Sequence, residues 1–251
     1  SDDSLVIAGG FDGTITLGSV NFTSGGGNDA FVAMLDDSSG SAEVQWAVQG
    51  SGADEDEART VAVDSAGNAY VSGSFQDRMT LGNRSIKSSG GENIFVAKIN
   101  DSGSSTRWVV KAGTAYYPNA GVGIAVNADG SLLNVSGVIT GENVYIAQFD
   151  AETGENSWSN TAGGGGSDFA SSVAVDAAGN VFLTGEFVGS TTAGTNTLQA
   201  EAGEDGYLVK YDPSGEPLWG VSLGQNNDGV ESNAVALDAQ GNSLVIGSSD
   251  G

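Results

Sequence analysis

The sequence predicts an all-β fold, and three observations carry that prediction. A strand–turn–strand phrase recurs along the chain, as VAVDSAGNAYVSGSF (61–75), IAVNADGSLLNVSGV (124–138), VAVDAAGNVFLTGEF (173–187) and VALDAQGNSLVIGSS (235–249). Within it apolar residues alternate, as in Val61-Ala62-Val63, and β-branched and aromatic residues lead the second half, which is the period of a strand and not of a helix. Glycine supplies 40 of the 251 residues and falls at fixed offsets, so it punctuates a repeat and does not mark disorder.

The elements follow in order. Val61–Val63 and its equivalents form a first strand, and Asp64-Ser65-Ala66-Gly67-Asn68 a tight turn. There the Asp carboxylate reaches backbone N–H groups two residues on, and Gly supplies positive φ without a steric cost. A second strand runs to Gly73, Gly137, Gly185 or Gly247, and its counterpart opens the chain as SLVIAGGF (4–11), ending at Gly9. One glycine per unit at this place predicts close backbone packing or an unusual φ. A third strand reads aromatic-aliphatic-small-x-apolar: Phe31 to Leu35, Phe95 to Ile99, Tyr145 to Phe149, Tyr207 to Tyr211. An Asp/Asn…Gly turn follows, and then a fourth strand carrying Trp46, Trp108, Trp158 or Trp219. One Trp per unit in the same outer position predicts packing on an adjacent unit. The third unit is short because it has only Ile139–Glu142 where the second has the polar excursion Gln76–Glu92. The Gly/Ser runs at 24–27, 88–91 and 163–167 are expected to be loops.

Four short antiparallel strands in ~50–60 residues make one propeller blade. Such a unit has two apolar faces and needs neighbours to bury them. The expected architecture is therefore a β-propeller of four-stranded antiparallel blades in one domain over 1–251, with blades at 4–52, 61–113, 124–162 and 173–224 and a partial one at 235–247. Second strands outnumber first strands, so the chain is expected to be a segment of a longer array, with self-association through the odd hairpin as an alternative.

The run Val/Ile-Ala-Val/Leu-Asp/Asn-x-x-Gly-Asn/Ser, the strand ending Ser/Thr-Gly-x-Phe, the third-strand pattern and the Trp together resemble the SBBP-type β-propeller repeat of secreted bacterial and archaeal proteins. The resemblance covers essentially the whole chain, with departures at Asn127, Ser131 and Val138. It implies the fold and an extracellular or cell-surface setting. It implies no reaction, since that family has no common catalytic motif.

Composition narrows the function. Asp and Glu number 32 against 8 Lys and Arg, a net charge of −24. Nucleic-acid binding needs a basic stripe and is excluded. Anionic membrane surfaces are disfavoured, and no run of ~18 apolar residues spans a bilayer. High-salt or divalent-rich water suits such a surface because it screens the carboxylates. There is no His and no Cys, which removes the commonest general base and the thiolate nucleophile. Carboxylate pairs remain able to hydrolyse glycosidic bonds.

Sorting polar residues by blade end gives the candidate sites. The Asp-x-x-Gly turns crowd one end, where capping explains them. At the other end Asn28-Asp29, Glu92-Asn93, Glu142-Asn143 and Glu204-Asp205 precede the third strands, while Asp56, Asn119, Asp168 and Asp228 precede the first strands. A site rich in oxygen, without His or Cys, suits Ca²⁺, so Asp29, Asp56, Asn119, Asp168, Asp205 and Asp228 are candidate Ca²⁺ ligands. Bonding to backbone N–H groups where blades meet is the structural alternative. The acidic run Asp54-Glu55-Asp56-Glu57 is expected to be a solvated loop. Tyr116-Tyr117-Pro118 breaks the repeat beside Asn119, making Tyr116, Tyr117 and Asn119 candidate ligand contacts. Asn21, Asn83 and Asn134 match the glycosylation pattern, the last inside a strand.

The expectation drawn from this is a non-catalytic extracellular scaffold or adhesion module, not an enzyme, with a protein or glycan partner at a cell surface. A propeller binding glycan or peptide, with or without Ca²⁺, and a carboxylate hydrolase are the alternatives.

Overall fold

Nineteen strands and no helix run through the described residues. The structure, a computed structural model, describes residues 4–38, 40–113, 123–139, 143–224 and 229–249, and the side chains of all of these except Ser89 and Ala202. The chain divides into two compact units, Ser1–Thr114 and Ala115–Gly251.

The first unit contains β1 (Ser4–Phe11), β2 (Thr14–Leu17), β3 (Val20–Thr23), β4 (Asp29–Asp36), β5 (Glu43–Ser51), β6 (Asp56–Val63), β7 (Ala69–Leu81), β8 (Arg84–Ile99) and β9 (Thr106–Ala112). One antiparallel sheet runs β1-β4-β5-β7-β8-β9, with β6 on the inner half of β7 and β2–β3 forming a hairpin of its own. β6 packs on β1 without hydrogen-bonding to it. The repeat therefore appears as the strand sets β1-β4-β5 and β6-β7-β8-β9, joined where Gly50 and Ser51 pair with Leu81 and Thr80. Their shared core includes Val32, Val71, Phe75, Met79, Leu81, Phe95 and Ile99, all fully buried.

The second unit contains β10 (Gly123–Val126), β11 (Leu132–Ile139), β12 (Asn143–Asp150), β13 (Asn156–Gly164), β14 (Asp168–Val175), β15 (Val181–Ala193), β16 (Asn196–Tyr211), β17 (Pro217–Ser222), β18 (Val230–Leu237) and β19 (Ser243–Ser249). The order is β10-β11-β12-β13-β15-β16-β17 with β14 on β15, and β18–β19 stands as a two-stranded sheet packed on β14 and β15. Phe182, Leu208 and Val235 form the small core beneath that hairpin.

Two expected loops are strands. β7 and β8 continue as a paired hairpin through 78–87, and β8 runs on through 88–91. The apolar signal fades there because one face is exposed, and the register shifts between Gln76 and Arg78 to accommodate Asp77, whose φ is +52°. Gly189, φ +74°, holds the same place in β15. Likewise Gly163 and Gly164 belong to β13 and pair with Thr192 and Thr191. The run 24–27 lies outside any strand, as expected.

The repeat's local chemistry follows the expected lines. Asp64 Oδ1 accepts the N–H groups of Ala66 and Asn68, and its other oxygen accepts from Asn68 Nδ2 and the Tyr70 hydroxyl. The second-strand glycines mark close approach and not positive φ. A Cβ at Gly73, Gly185 or Gly247 would overlap the carbonyl oxygen of Glu57, Phe169 or Glu231 on the adjoining first strand, opposite a register shift.

Candidate functional site

Asp56 and Asp168 open first strands, and Asp29 and Asp205 lie on third strands. The pairing sets them in rows: Asp56 lies across from Phe75, which lies across from Asn93, and Asp168 across from Phe187, which lies across from Asp205. Phe11 faces Asp29 in the same way. Directly opposed residues share a sheet face, so each carboxylate sits against an aromatic ring and leaves water. All four aspartates are 0% exposed. The acidic run 54–57 is thus not a solvated loop throughout, because Asp56 begins β6 and is sealed.

A common device holds these side chains. The backbone N–H four residues ahead donates to the carboxylate: Gly25 to Asp29 at 3.1 Å, Gly164 to Asp168 at 3.0 Å and Glu201 to Asp205 at 3.0 Å. Asp29 also accepts from Gln49 Nε2 at 2.7 Å, and Asp205 from the Ser222 hydroxyl at 3.3 Å. Asp56 differs, accepting the Gln76 N–H at 3.3 Å. Among the described residues every one of the four keeps a second oxygen with no hydrogen-bond partner: Asp29 Oδ1, Asp56 Oδ2, Asp168 Oδ1 and Asp205 Oδ1.

Electrostatics separates them. Burial pushes Asp56 up to about 8, and the negative charges of Asp29, Asp54 and Glu55 push the same way against the Gln76 hydrogen bond. Burial also raises Asp168, opposed by the Thr191 hydroxyl and the Gly164 N–H. At neutral pH Asp56 therefore holds a proton beside Asp29. Two loops close over this pair. A Cβ at Gly25 or Gly26 would overlap the carbonyl of Gly52 or Ala53, so the backbones are in direct contact, and Glu55 accepts the Asn28 N–H at 3.2 Å. Only residues without a side chain allow that approach.

The expected residues are therefore brought together in part. Asp29 and Asp56 lie within electrostatic reach of one another in the first unit. In the second, Asp168 and Asp205 stand two strands apart, ~10 Å, on either side of Phe187. Among the described residues no three of His, Cys, Asp and Glu converge to hold a metal ion. A Ca²⁺ ion takes 6–8 oxygens, and the Asp29–Asp56 pair supplies two carboxylates. Tyr116, Tyr117, Asn119 and Asp228 lie outside the described residues. The sequence reading missed Gln49, Glu55 and the glycines 25, 26 and 52; the only signal for them was the glycine run itself, read there as a plain loop. A cavity of about 330 Å³ in the second unit, lined by Tyr145, Asn160, Tyr211 and Glu216 among others, holds a single acid and no pair.

No protein-family model matches the chain, and no curated protein matches it. Among solved structures it is similar to a gluconolactonase from Xanthomonas campestris described as important in glucose secondary metabolic pathways, at 14% identity and a TM-score of 0.47, over 87% of this chain and 65% of that one. The chain thus spans just under two thirds of that enzyme's length. Against this finding, which names an enzyme, the expectation of a non-catalytic adhesion module and of a chain that is not an enzyme is set aside. A likeness at this identity and TM-score assigns no substrate and no reaction, so the chemistry rests on this chain's own residues.

Proposed function

We propose that the chain is a hydrolase working through carboxylates alone, with Asp56 as general acid and Asp29 as general base. One observation carries the proposal: a carboxyl that keeps its proton to about pH 8 lies in the field of a second buried carboxylate. A pair of carboxyl groups, one of them held protonated by burial, is the minimum equipment for protonating a leaving oxygen while activating water. The chain has no His or Cys to do either task. The unpartnered oxygens Asp56 Oδ2 and Asp29 Oδ1 are the atoms free to give and take the proton. Both lie beneath the glycine loops, so substrate enters when the contact between 25–27 and 52–54 opens. Glycosidic bonds in an extracellular glycan are the substrate class that two carboxylates serve. The blade-like strand sets, in line with the resemblance to SBBP-type repeats, support a propeller as the frame and a secreted setting.

The test is hydrolysis of nitrophenyl glycosides and nitrophenyl esters between about pH 5 and about pH 9, a span that brackets the loss of the acid's proton. Activity should fall above about pH 8 as Asp56 loses its proton, and Asp56→Asn and Asp29→Asn should each abolish it. Absence of turnover, or turnover that survives Asp56→Asn, overturns the proposal.

A further inference from the structure

The two units build the same corner from different side chains. In the first, β5 passes the turn of the β7–β8 hairpin, where Leu81 faces Arg84. Val48 stands two residues after Trp46 on β5, and Ile99 faces Thr106 across the third and fourth strands. The Gly82 N–H donates to the Gln49 carbonyl at 3.1 Å, and the Val48 and Thr106 side chains lie against the Gly82 turn. Val48, Ile99 and Thr106 are all buried and pack the corner.

In the second unit the equivalent corner is the cavity of about 330 Å³. The register sets the equivalences. Asn160 stands two residues after Trp158, Ala193 faces Asn196 as Leu81 faces Arg84, and Tyr211 faces Pro217 as Ile99 faces Thr106. Asn160 thus takes the place of Val48, Tyr211 that of Ile99 and Pro217 that of Thr106. Asn160 Nδ2 donates to the Gly215 carbonyl, which draws the amide to that turn and leaves its Oδ1 as an acceptor. An indole latch fixes the frame in both units: Trp46 donates its N–H to the Asp101 carbonyl at 2.9 Å, and Trp158 to the Pro213 carbonyl at 3.1 Å. The Trp158 ring also stacks on Tyr211, with centroids 6.4 Å apart. Tyr211 is 1% exposed, and burial alone pushes its hydroxyl up, with no hydrogen bond opposing it. Tyr145 lines the cavity from β12, its hydroxyl bonded to that of Ser159, and Glu216 brings the one carboxylate.

We propose that this cavity binds a neutral sugar ring. Tyr145, Tyr211 and Pro217 give it apolar surface for the C–H groups of the sugar. Asn160 Oδ1, the Tyr211 hydroxyl and the Glu216 carboxylate are the donors and acceptors that neighbouring sugar hydroxyls require. A covered hydroxyl without a partner costs free energy, and a ligand hydroxyl that bonds to Tyr211 recovers it. Anions are opposed by Glu216 and by the net charge of −24. The volume stands at the small end of ligand pockets, which run from about 300 to about 1,000 Å³, so it suits a single sugar unit and not a long chain. The site lies within the second unit and does not rest on the Asp29–Asp56 reading.

The test is calorimetric titration of the whole chain with the methyl glycosides of glucose, galactose, mannose and N-acetylglucosamine. Saturable binding of at least one is expected. Tyr211→Phe deletes the hydroxyl and keeps the ring on Trp158, so affinity should fall about tenfold. Asn160→Val puts there the residue type that the first unit has at Val48, and should abolish binding; circular dichroism establishes that both variants fold. Because binding is read without turnover, it stands or falls apart from the hydrolase reading. Three results would overturn the proposal: no saturable binding of any of the four sugars, binding unchanged in Tyr211→Phe and Asn160→Val, or displacement of the sugar by choline, since the occupant would then be a cation held by Glu216.

Discussion

Asp56 is the residue on which the chemistry and the stability of the first unit meet. Its carboxyl ordinarily titrates at 3.8 and is pushed up to about 8 in the fold. Between those values the folded protein holds a proton that the unfolded chain has released. The unfolded state then binds fewer protons, so unfolding free energy falls as pH rises from about 4 to about 8 and levels off above. Asp56→Asn is neutral in both states and removes this contribution. Melting curves at pH 5, 6, 7 and 8 should show a shallower decline in the variant, and parallel declines would contradict the assignment. Much of this was legible in the sequence: Asp29, Asp56, Asp168 and Asp205 stand out because they recur at fixed offsets. Their burial was not legible. Asp54-Glu55-Asp56-Glu57 reads as solvated, and it is the opposed ring of Phe75 together with the contacting loops 25–26 and 52–53 that takes Asp56 out of water.

At the scale of the element, the strands with apolar alternation were legible and their continuations were not. The inner half of β7 reads plainly from Ala69 to Phe75, whereas 78–81 pairs with 84–87 on one side and with β5 on the other, presenting polar residues outward past the shift at Asp77. A strand held by its pairing leaves little hydrophobic signature. The fourth-strand Trp shows the opposite case: its regular spacing predicted packing on an adjacent set, and Trp46 donates its indole N–H to the Asp101 carbonyl in the set that follows, at 2.9 Å. The indole hydrogen bond to the Asp101 carbonyl can be tested by itself. Trp46→Phe keeps most of the ring's burial and deletes the donor, so it should cost about 1 kcal/mol, read as a lower urea midpoint with an unchanged m value. A loss too small to measure would mean that the ring alone makes the latch.

The molecule as a whole carries −24 over 251 residues, and its 8 Lys and Arg are too few to pair 32 acids; Glu57 with Arg59, at 2.6 Å, is one close ion pair. Self-repulsion therefore opposes the compact state and is relieved by salt. Raising NaCl from about 0.1 M to about 1 M shortens the screening length from ~10 Å to ~3 Å and should raise the melting temperature. CaCl₂ at matched ionic strength is the informative companion, because a further rise there reports uptake at carboxylates and not screening. A melting temperature indifferent to NaCl would show that the repulsion is already dissipated by the spacing of the acids.

The two-stranded sheet β18–β19 has a further consequence, for the order in which the second unit loosens. Amides on β15 are held between β14 and β16, but among the described residues those on β19 have a ladder on one side, facing β18. Opening that hairpin sacrifices the small cluster of Phe182, Leu208 and Val235 and the buried hydrogen bonds of the Ser232 hydroxyl with Thr184 and the Gly185 carbonyl, and it leaves the ladders of the long sheet intact. Deuterium uptake should therefore reach 243–249 well before 181–187, as a graded release and not one cooperative event. Uniform protection across both segments would show that the hairpin opens only when the unit does.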